Sequence, residues 1–327
     1  MKRVNIAVVG ATGMVGSFFV KVLQERDFPA ENIYFYASFR SAGKVISFKG
    51  QEHTIRALDD SILDENIDIA LFSAGGDISE VWIPKLSAKG IVCVDNSSKF
   101  RMADGVPLVV PEVNAIAAKA HKGIIANPNC STIQSVVALA PLDKAFGLKR
   151  VIYTTYQAVS GAGQGGWDDL QRGLDGLPPQ KFPHTIANNV IPQIDVFTEN
   201  GYTGEEIKMI QETRKILGIA DLPVTATCVR VPIFNVHSVC INVELANKFD
   251  INELVQVLQN ADGIVVLNDV ANGEYPMPIT ANGKDEVYIG RIRRDESAEN
   301  AVNMWVVADN VRKGATTNAV QIAELLV

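Results

Sequence analysis

Over the first 130 residues, short apolar, β-branched runs fall at positions 4–9, 32–37, 67–72, 91–94 and 123–126, alternating with stretches of helical spacing. That alternation predicts a parallel sheet with helices on both faces. Ile78, Val81, Trp82 and Leu86 recur at helical spacing and predict one apolar face packed on the sheet. The pattern then changes. A helix over 131–140, expected to stop near Pro141, leads into longer alternating runs at 151–158, 224–231, 236–245 and 288–294, and 301–308 is strand-like as well. These read as a largely antiparallel sheet with one covered face. Positions 161–200, rich in Gly, Pro and Asn, read as loops with short helical pieces, and 314–327 as a final helix that packs back on the first domain.

The fold class expected is α/β. A Rossmann-type doubly wound parallel sheet domain spans 1–129, completed by a C-terminal helix over 309–327. An α+β substrate and dimerisation domain with a largely antiparallel sheet spans 130–308. The length of 327 residues agrees, since a single core stops growing at roughly 250–300 residues. The net charge of −7, with no continuous basic stripe, argues against nucleic acid as a partner. The start Met1-Lys2-Arg3 runs straight into a strand-like segment with no apolar signal region, and no stretch approaches the ~20 apolar residues of a membrane span. A cytoplasmic location is expected. The four cysteines, without a C-x-x-C pair or a Cys/His cluster, suggest neither a disulfide framework nor a metal site. Cys93, Cys228 and Cys240 lie in β-like runs and read as small buried hydrophobes.

Two segments carry candidate chemistry. The run 4–9 enters Gly10-Ala11-Thr12-Gly13-Met14-Val15-Gly16 and then an amphipathic helix. A glycine turn between strand and helix lets a pyrophosphate approach unpaired N–H groups at the positive end of the helix dipole. The spacing is G-x-x-G-x-x-G, and the plain alternative is a tight turn that binds nothing. Ser38-Phe39-Arg40-Ser41 follows the second strand, where an NAD enzyme usually places an acidic residue; Arg and hydroxyls there suit a 2′-phosphate, although a solvated loop could carry them too. In the second segment, Asn127-Pro128-Asn129-Cys130-Ser131-Thr132 puts Cys130 where a strand ends and a helix begins. The helix N-terminus stabilises a thiolate and can hold an oxyanion. The plain alternative is a small thiol beside a cap made by Asn129 or Ser131.

Further along, Thr203 and Glu206 form a capping box, while Glu205, Lys208, Glu212 and Lys215 lie on one polar stripe that could be an ordinary ion-pair ladder. Arg230 and His237 flank an expected bend at 232–235. An Arg in an apolar strand wants an anionic partner, and His suits proton transfer near neutrality; a structural histidine is the alternative. His53, His121 and His184 lie in polar or loop contexts.

Taken in order, Gly10 to Gly16, Ser38 to Lys44, Asp95-Asn96-Ser97-Ser98-Lys99-Phe100-Arg101, Val110-Pro111-Glu112-Val113-Asn114, Asn127 to Thr132, Gln157-Ala158-Val159-Ser160-Gly161-Ala162-Gly163, Glu205-Glu206-Ile207-Lys208, Arg230-Val231-Pro232 with His237, and Asp309-Asn310 resemble the aspartate-β-semialdehyde dehydrogenase family. The second domain lacks the extended insertions of that family's longer members. The resemblance implies NADPH-dependent reduction of L-aspartyl-4-phosphate through a thioester on Cys130, in the pathway to lysine and diaminopimelate, threonine and methionine. It implies Cys130 as nucleophile, Gln157 as orienting residue and His237 as acid/base. Arg101, Lys208 and Asn129 would serve the phosphate and the intermediate, and Glu205 and Arg230 would grip the substrate's amino and carboxylate groups. The cofactor NADP(H) would lie on Gly10, Thr12, Gly13, Met14, Val15, Ser38, Arg40, Ser41 and Gly75, with Ser160, Gly161 and Asn310 at the nicotinamide half. The implied partners are the small-molecule substrate, inorganic phosphate and further copies of the chain, as a homodimer or dimer of dimers; no metal is required. Competing expectations are another phosphorylating reductase, acting on N-acetyl-glutamyl phosphate or glyceraldehyde-3-phosphate, and a non-catalytic dinucleotide sensor. The residues around Cys130, with Glu205 and Lys208, argue against the first. Cys130, Gln157, Arg230 and His237 together argue against the second.

Overall fold

The computed structural model describes residues 3–327; Met1 and Lys2, and with them the basic start of the chain, lie outside the described residues. Two units emerge, Met1–Pro128 with Ala315–Val327, and Asn129–Gly314. Along the first run β1 (Val4–Val9), α1 (Met14–Glu25), β2 (Ala30–Ala37), β3 (Val45–Phe48), β4 (Gln51–Thr54), β5 (Arg56–Ala57), β6 (Ile69–Phe72), α2 (Gly76–Ala88), β7 (Val92–Asp95), α3 (Pro111–Asn114) and β8 (Ile124–Ala126). The sheet has order β5-β2-β1-β6-β7-β8 with every pairing parallel, and β3 and β4 form a separate antiparallel hairpin. Strand side chains alternate between faces. Ile6 and Val8 accordingly share one core with Phe19 and Leu23 of α1, while Ala7 and Val9 share another with Ile83 and Leu86 of α2. Both faces are covered, as a parallel sheet requires.

The strand expectations hold to within about two residues, but the face assigned to α2 holds only in part: Leu86 is buried and Trp82 packs on the core. Ile78 and Val81 are exposed, at 37% and 52%, and the buried stripe is Ser79, Ile83 and Leu86. Ser79 turns inward because its hydroxyl donates to the buried Asp95 carboxylate, at 2.8 Å. A polar partner, invisible to hydrophobic spacing, rotates the helix.

The second unit contains α4 (Cys130–Phe146), β9 (Leu148–Gln157), α5 (Gln164–Leu174), α6 (Gly204–Leu217), β10 (Val224–Arg230), β11 (His237–Leu245), α7 (Ile251–Gln259), β12 (Ile264–Val266), α8 (Pro278–Ala281), β13 (Val287–Asp295) and β14 (Ala301–Ala308). Instead of stopping near Pro141, α4 runs through it, because burial of Leu142 and Phe146 outweighs the lost backbone bond. Within the stretch read as loops with short helical pieces, α5 makes three turns; its buried Leu170 packs with Val159, Ile186 and Ile191. The sheet order is β10-β9-β11-β14-β13-β12, with the three inner pairings antiparallel and both outer ones parallel. Helices α4, α6 and α7 pack on it.

That mixed pairing positions the site. Parallel register sets Arg230, the last residue of β10, opposite Gln157, the last of β9, and antiparallel β11 begins with His237 at the same end. The chain returns to the first unit as α9 (Thr317–Glu324), where Ala319, Val320 and Ile322 join the α1 core and Arg26 forms a bidentate pair with Glu324.

The turn between β1 and α1 tolerates no Cβ at Gly16, where it would stand 1.9 Å from the Gly10 carbonyl oxygen. Gly16→Ala should therefore lower stability by about 1–3 kcal/mol, as overpacking does, and thermal unfolding followed by circular dichroism should show a lower midpoint.

Candidate active site

Asn129 is the N-cap of α4. Its Oδ1 accepts the N–H groups of Ser131 at 3.0 Å and Thr132 at 3.2 Å, so Asn129, not Ser131, does the capping. Cys130 is thus the first helical residue, where helix dipole and N–H groups favour an anionic sulfur. It is partly exposed. A Cβ at Gly314 would stand 2.9 Å from the Cys130 Cβ, so a residue 184 positions downstream keeps the approach to this side chain open. Burial pushes the Cys93 and Cys228 thiols up, and Cys240, half-exposed rather than buried as expected, is also raised by burial.

Beside the cap lies a buried carboxylate, Glu205. Its Oε1 accepts from Asn129 Nδ2 at 2.9 Å and Gln157 Nε2 at 3.0 Å, and its Oε2 faces Lys208 Nζ at 3.4 Å. Burial pushes the pKa of this carboxyl up, but Lys208, the hydrogen bonds from Gln157 and Asn129, and the charge of Arg230 together bring it below the usual glutamate range. Gln157 is oriented in turn by Thr155, whose hydroxyl donates to its Oε1 at 2.9 Å. Lys208 also reaches Asp195 at 2.6 Å.

The stripe on α6 is not a solvated one, since Glu205 and Glu212 face inward. Glu212 is buried, and its Oε2 accepts the Asn129 N–H at 2.6 Å. Glu206 caps the helix with Thr203 as expected, and its Oε1 also accepts the Cys228 N–H at 2.9 Å.

Arg230 and His237 face one small space. Arg230 is buried; Nη1 donates to the Ala158 carbonyl at 2.7 Å, Nε has no partner, and the guanidinium lies over the Phe182 ring at 5.8 Å. His237 is fully buried. Its Nδ1 accepts the Ala158 N–H at 3.0 Å, which assigns the neutral ring's proton to Nε2, an atom with no partner. Burial, reinforced by the charge of Arg230, holds the imidazole well below its ordinary value. Gly161 makes the space: a Cβ there would stand 2.8 Å from Arg230 Nη1 and 3.1 Å from His237 Nε2. Arg230 is also within electrostatic reach of Cys130 and Glu205.

Ser160 and Asn310, expected at the nicotinamide, bond to each other, and Asn310 Oδ1 accepts the Val236 N–H at 2.9 Å. Val236 has φ +78°, a left-handed conformation that costs a β-branched residue about 1–3 kcal/mol.

The first unit holds the other expected residues. Gly10, at φ +88°, and Gly16 form a turn so tight that the Gly10 carbonyl excludes a side chain at 16, and Gly13 caps α1 without a side-chain bond. The N–H groups of Met14 and Val15 at the start of α1 thus meet no capping side chain, and the donors suit a pyrophosphate. Thr12 Oγ1 donates to Ser41 Oγ at 3.4 Å, joining this turn to the loop after β2. Ser38 and Arg40 are exposed there. Gly75, at φ +91°, begins α2 and has open space on the side where a Cβ would stand. These residues fit a dinucleotide. Arg101 is buried, with Nε on the Asn127 carbonyl at 2.9 Å and Nη2 on that of Asn96 at 3.1 Å.

The structure therefore gathers Cys130, Asn129, Gln157, Glu205, Lys208, Arg230, His237 and Gly161 in the second unit. Thr155, Asp195, Glu212, Gly314 and Phe182 were not foreseen; Thr155 acts on Gln157 two residues away, the others through partners further off in sequence, and only the inward face of α6 could have hinted at Glu212. Among the described residues no group of acidic, His or Cys side chains could hold a metal ion, and no helix is long and apolar enough to cross a membrane.

Comparison with known proteins gives the class first. Residues 5–121 match the family described as semialdehyde dehydrogenase, NAD-binding domain, and residues 139–313 the semialdehyde dehydrogenase dimerisation domain. An aspartate-semialdehyde dehydrogenase of Aquifex aeolicus is 55% identical over 99% of this chain and 98% of its own, and one of Bacillus subtilis is 45% identical over 99% and 98%. Among solved structures, aspartate semialdehyde dehydrogenase II of Vibrio cholerae complexed with ASA matches at TM-score 0.96 and 46% identity, covering 100% of this chain and 98% of that one. The Candida albicans enzyme with NADP matches at TM-score 0.78 and 27% identity, covering 99% and 98%. The chain belongs to the aspartate-semialdehyde dehydrogenase family.

The buried, neutral His237 has a consequence for stability. Unfolding returns it to its ordinary value of about 6.5, so above that pH neither state is protonated and the contribution is constant. Below it the unfolded chain binds the proton first, and stability should fall by up to about 1.4 kcal/mol per pH unit until the folded-state value is reached. Urea unfolding between pH 7.5 and 5 should show this slope in the wild type and its loss in His237→Gln.

Proposed function

We propose that the chain reduces L-aspartyl-4-phosphate to L-aspartate-4-semialdehyde, using NADPH and a thioester on Cys130. The observation that carries this reading is the space beside Gly161, faced by the proton-bearing Nε2 of His237 and by Arg230, which is itself within electrostatic reach of Cys130. The Cys130 sulfur attacks the acyl carbon, forming a C–S bond and placing negative charge on the former carbonyl oxygen. That adduct collapses by breaking the bond to phosphate, which leaves and takes its proton from solvent. When bound, the nicotinamide cofactor supplies a hydride to the thioester carbon. The resulting oxyanion collapses to the aldehyde and returns the Cys130 thiolate.

Both tetrahedral adducts carry their charge on the same oxygen, and the Nε2–H of His237 serves as its hydrogen-bond donor. Of the acid/base role implied for His237, this tautomer supports the donating half; a proton-accepting Nε2 would require the Ala158 contact to break. Arg230, with Nε unpartnered, holds the substrate carboxylate. Glu205 Oε2 is the oxygen available to a substrate ammonium, and Gln157 orients the acyl group. Lys208 holds the phosphate, and Arg101 is assigned to it by resemblance. Arg40 and Ser41 favour the 2′-phosphate of NADP. The second unit's match to a dimerisation domain, with Tyr156 exposed beside Trp305 on the sheet, supports a homodimer.

The direct test is cofactor reduction with aspartate semialdehyde and inorganic phosphate, comparing NADP with NAD; activity without phosphate dependence would overturn the reading. Two variants separate the grips. Lys208→Ala should raise KM for phosphate about tenfold or more with a smaller change for the semialdehyde, and Arg230→Ala should do the reverse, each losing one charge-assisted contact. An unchanged phosphate constant in Lys208→Ala would return that residue to its pairing with Asp195.

A further inference from the structure

His237 is held at three points. Ala158 N–H fixes its ring, and Gln134 Nε2 donates to its carbonyl at 3.2 Å while also reaching the Val306 carbonyl at 3.1 Å. The third hold is indirect. The residue before it, Val236, is buried and sits at φ +78°, where a β-branched side chain is a genuine outlier. Left to itself, such a residue relaxes to negative φ, and the ring that follows swings with the backbone. The Val236 N–H donates to Asn310 Oδ1 at 2.9 Å, and Asn310 Nδ2 donates to Ser160 Oγ at 3.0 Å. Asn310 is itself fixed, because the preceding Asp309 carboxylate accepts N–H groups from Gly283 at 2.8 Å, Val311 at 2.9 Å and Arg312 at 3.1 Å.

We propose that Asn310 is a positioning residue for His237: its side-chain carbonyl holds Val236 in the left-handed conformation that aims the His237 Nε2–H into the space beside Gly161 and Arg230. The amide that the family resemblance would give to the nicotinamide is here bonded to Val236 and Ser160. Glycine adopts φ +78° without strain, so the same aim is available without Asn310 if residue 236 is glycine.

The proposal rests on the reading of His237 as a donor in the reaction, so one arm of its test needs no turnover. Histidine NMR on the whole protein, with the His237 signal identified by its absence in His237→Gln, reads the ring directly. In the wild type that signal should titrate well below the ordinary value of about 6.5, and in Asn310→Ala its midpoint should rise toward that value. Arg230 is the charged group facing the ring and remains in place, and His53, His121 and His184 serve as internal controls. In the second arm, Asn310→Ala should lower kcat about 100-fold with KM for NADP changed less than about threefold, as loss of an oriented donor does. Asn310→Ala with Val236→Gly should recover about tenfold of that loss. A raised KM for NADP with kcat kept, a double variant no better than the single, or an unmoved His237 titration overturns the proposal. If Asn310→Ala does not fold, Asn310→Asp keeps the accepting oxygen and should hold kcat within about fivefold; a loss of about 100-fold there overturns it equally. A wild-type protein without phosphate-dependent activity would remove the functional reading, and the NMR arm alone would then decide the role of Asn310.

Discussion

The second unit depends on one amide group, the side chain of Asn129. Its oxygen closes the first turn of α4 and so makes Cys130 a helix-start residue; its nitrogen reaches Glu205 on α6. Glu205, buried, can stay ionised only because Gln157, Asn129 and Lys208 all point at it. The cap, the end of β9 and the start of α6 are therefore one assembly, and Glu212 fastens its main chain from below through the Asn129 N–H. Removing any member leaves a buried charge short of partners, a far larger penalty than loss of one surface pair.

A second assembly sits at the same end of the sheet. Parallel register brings Arg230 to Gln157, antiparallel entry brings His237, and the Ala158 peptide links the two by giving its N–H to one and its carbonyl to the other. The strain at Val236 belongs here. Strained backbone persists where surrounding structure overdetermines it, and here the overdetermination comes from Asn310, Gln134 and Ala158.

Features that depend on neighbours a few residues away were legible in the sequence: the glycine turn at 10–16, the Thr203–Glu206 capping box, the cap before Cys130 and the strand cores. Features set by distant partners were not. Helical spacing placed Ile78 and Val81 inward, but the hydroxyl of Ser79 seeks Asp95 and turns α2 the other way. Pro141 reads as a stop until the burial of Leu142 and Phe146 is known. The stripe Glu205, Lys208, Glu212 and Lys215 has the same period whether it faces water or protein, and only the fold shows that Glu205 and Glu212 face in. No local signal marks Gly314 as the neighbour of Cys130.

The covalent step is the centre of the account, and it can be observed directly. Aspartate semialdehyde is mixed with the wild-type protein and NADP in the absence of phosphate, the mixture is quenched with acid, and peptides are mapped by mass spectrometry. An aspartyl acyl adduct on the peptide containing Cys130, discharged when phosphate is added before the quench, is the expected result. An adduct on Cys93, Cys228 or Cys240 instead, or full turnover by Cys130→Ala, would contradict it.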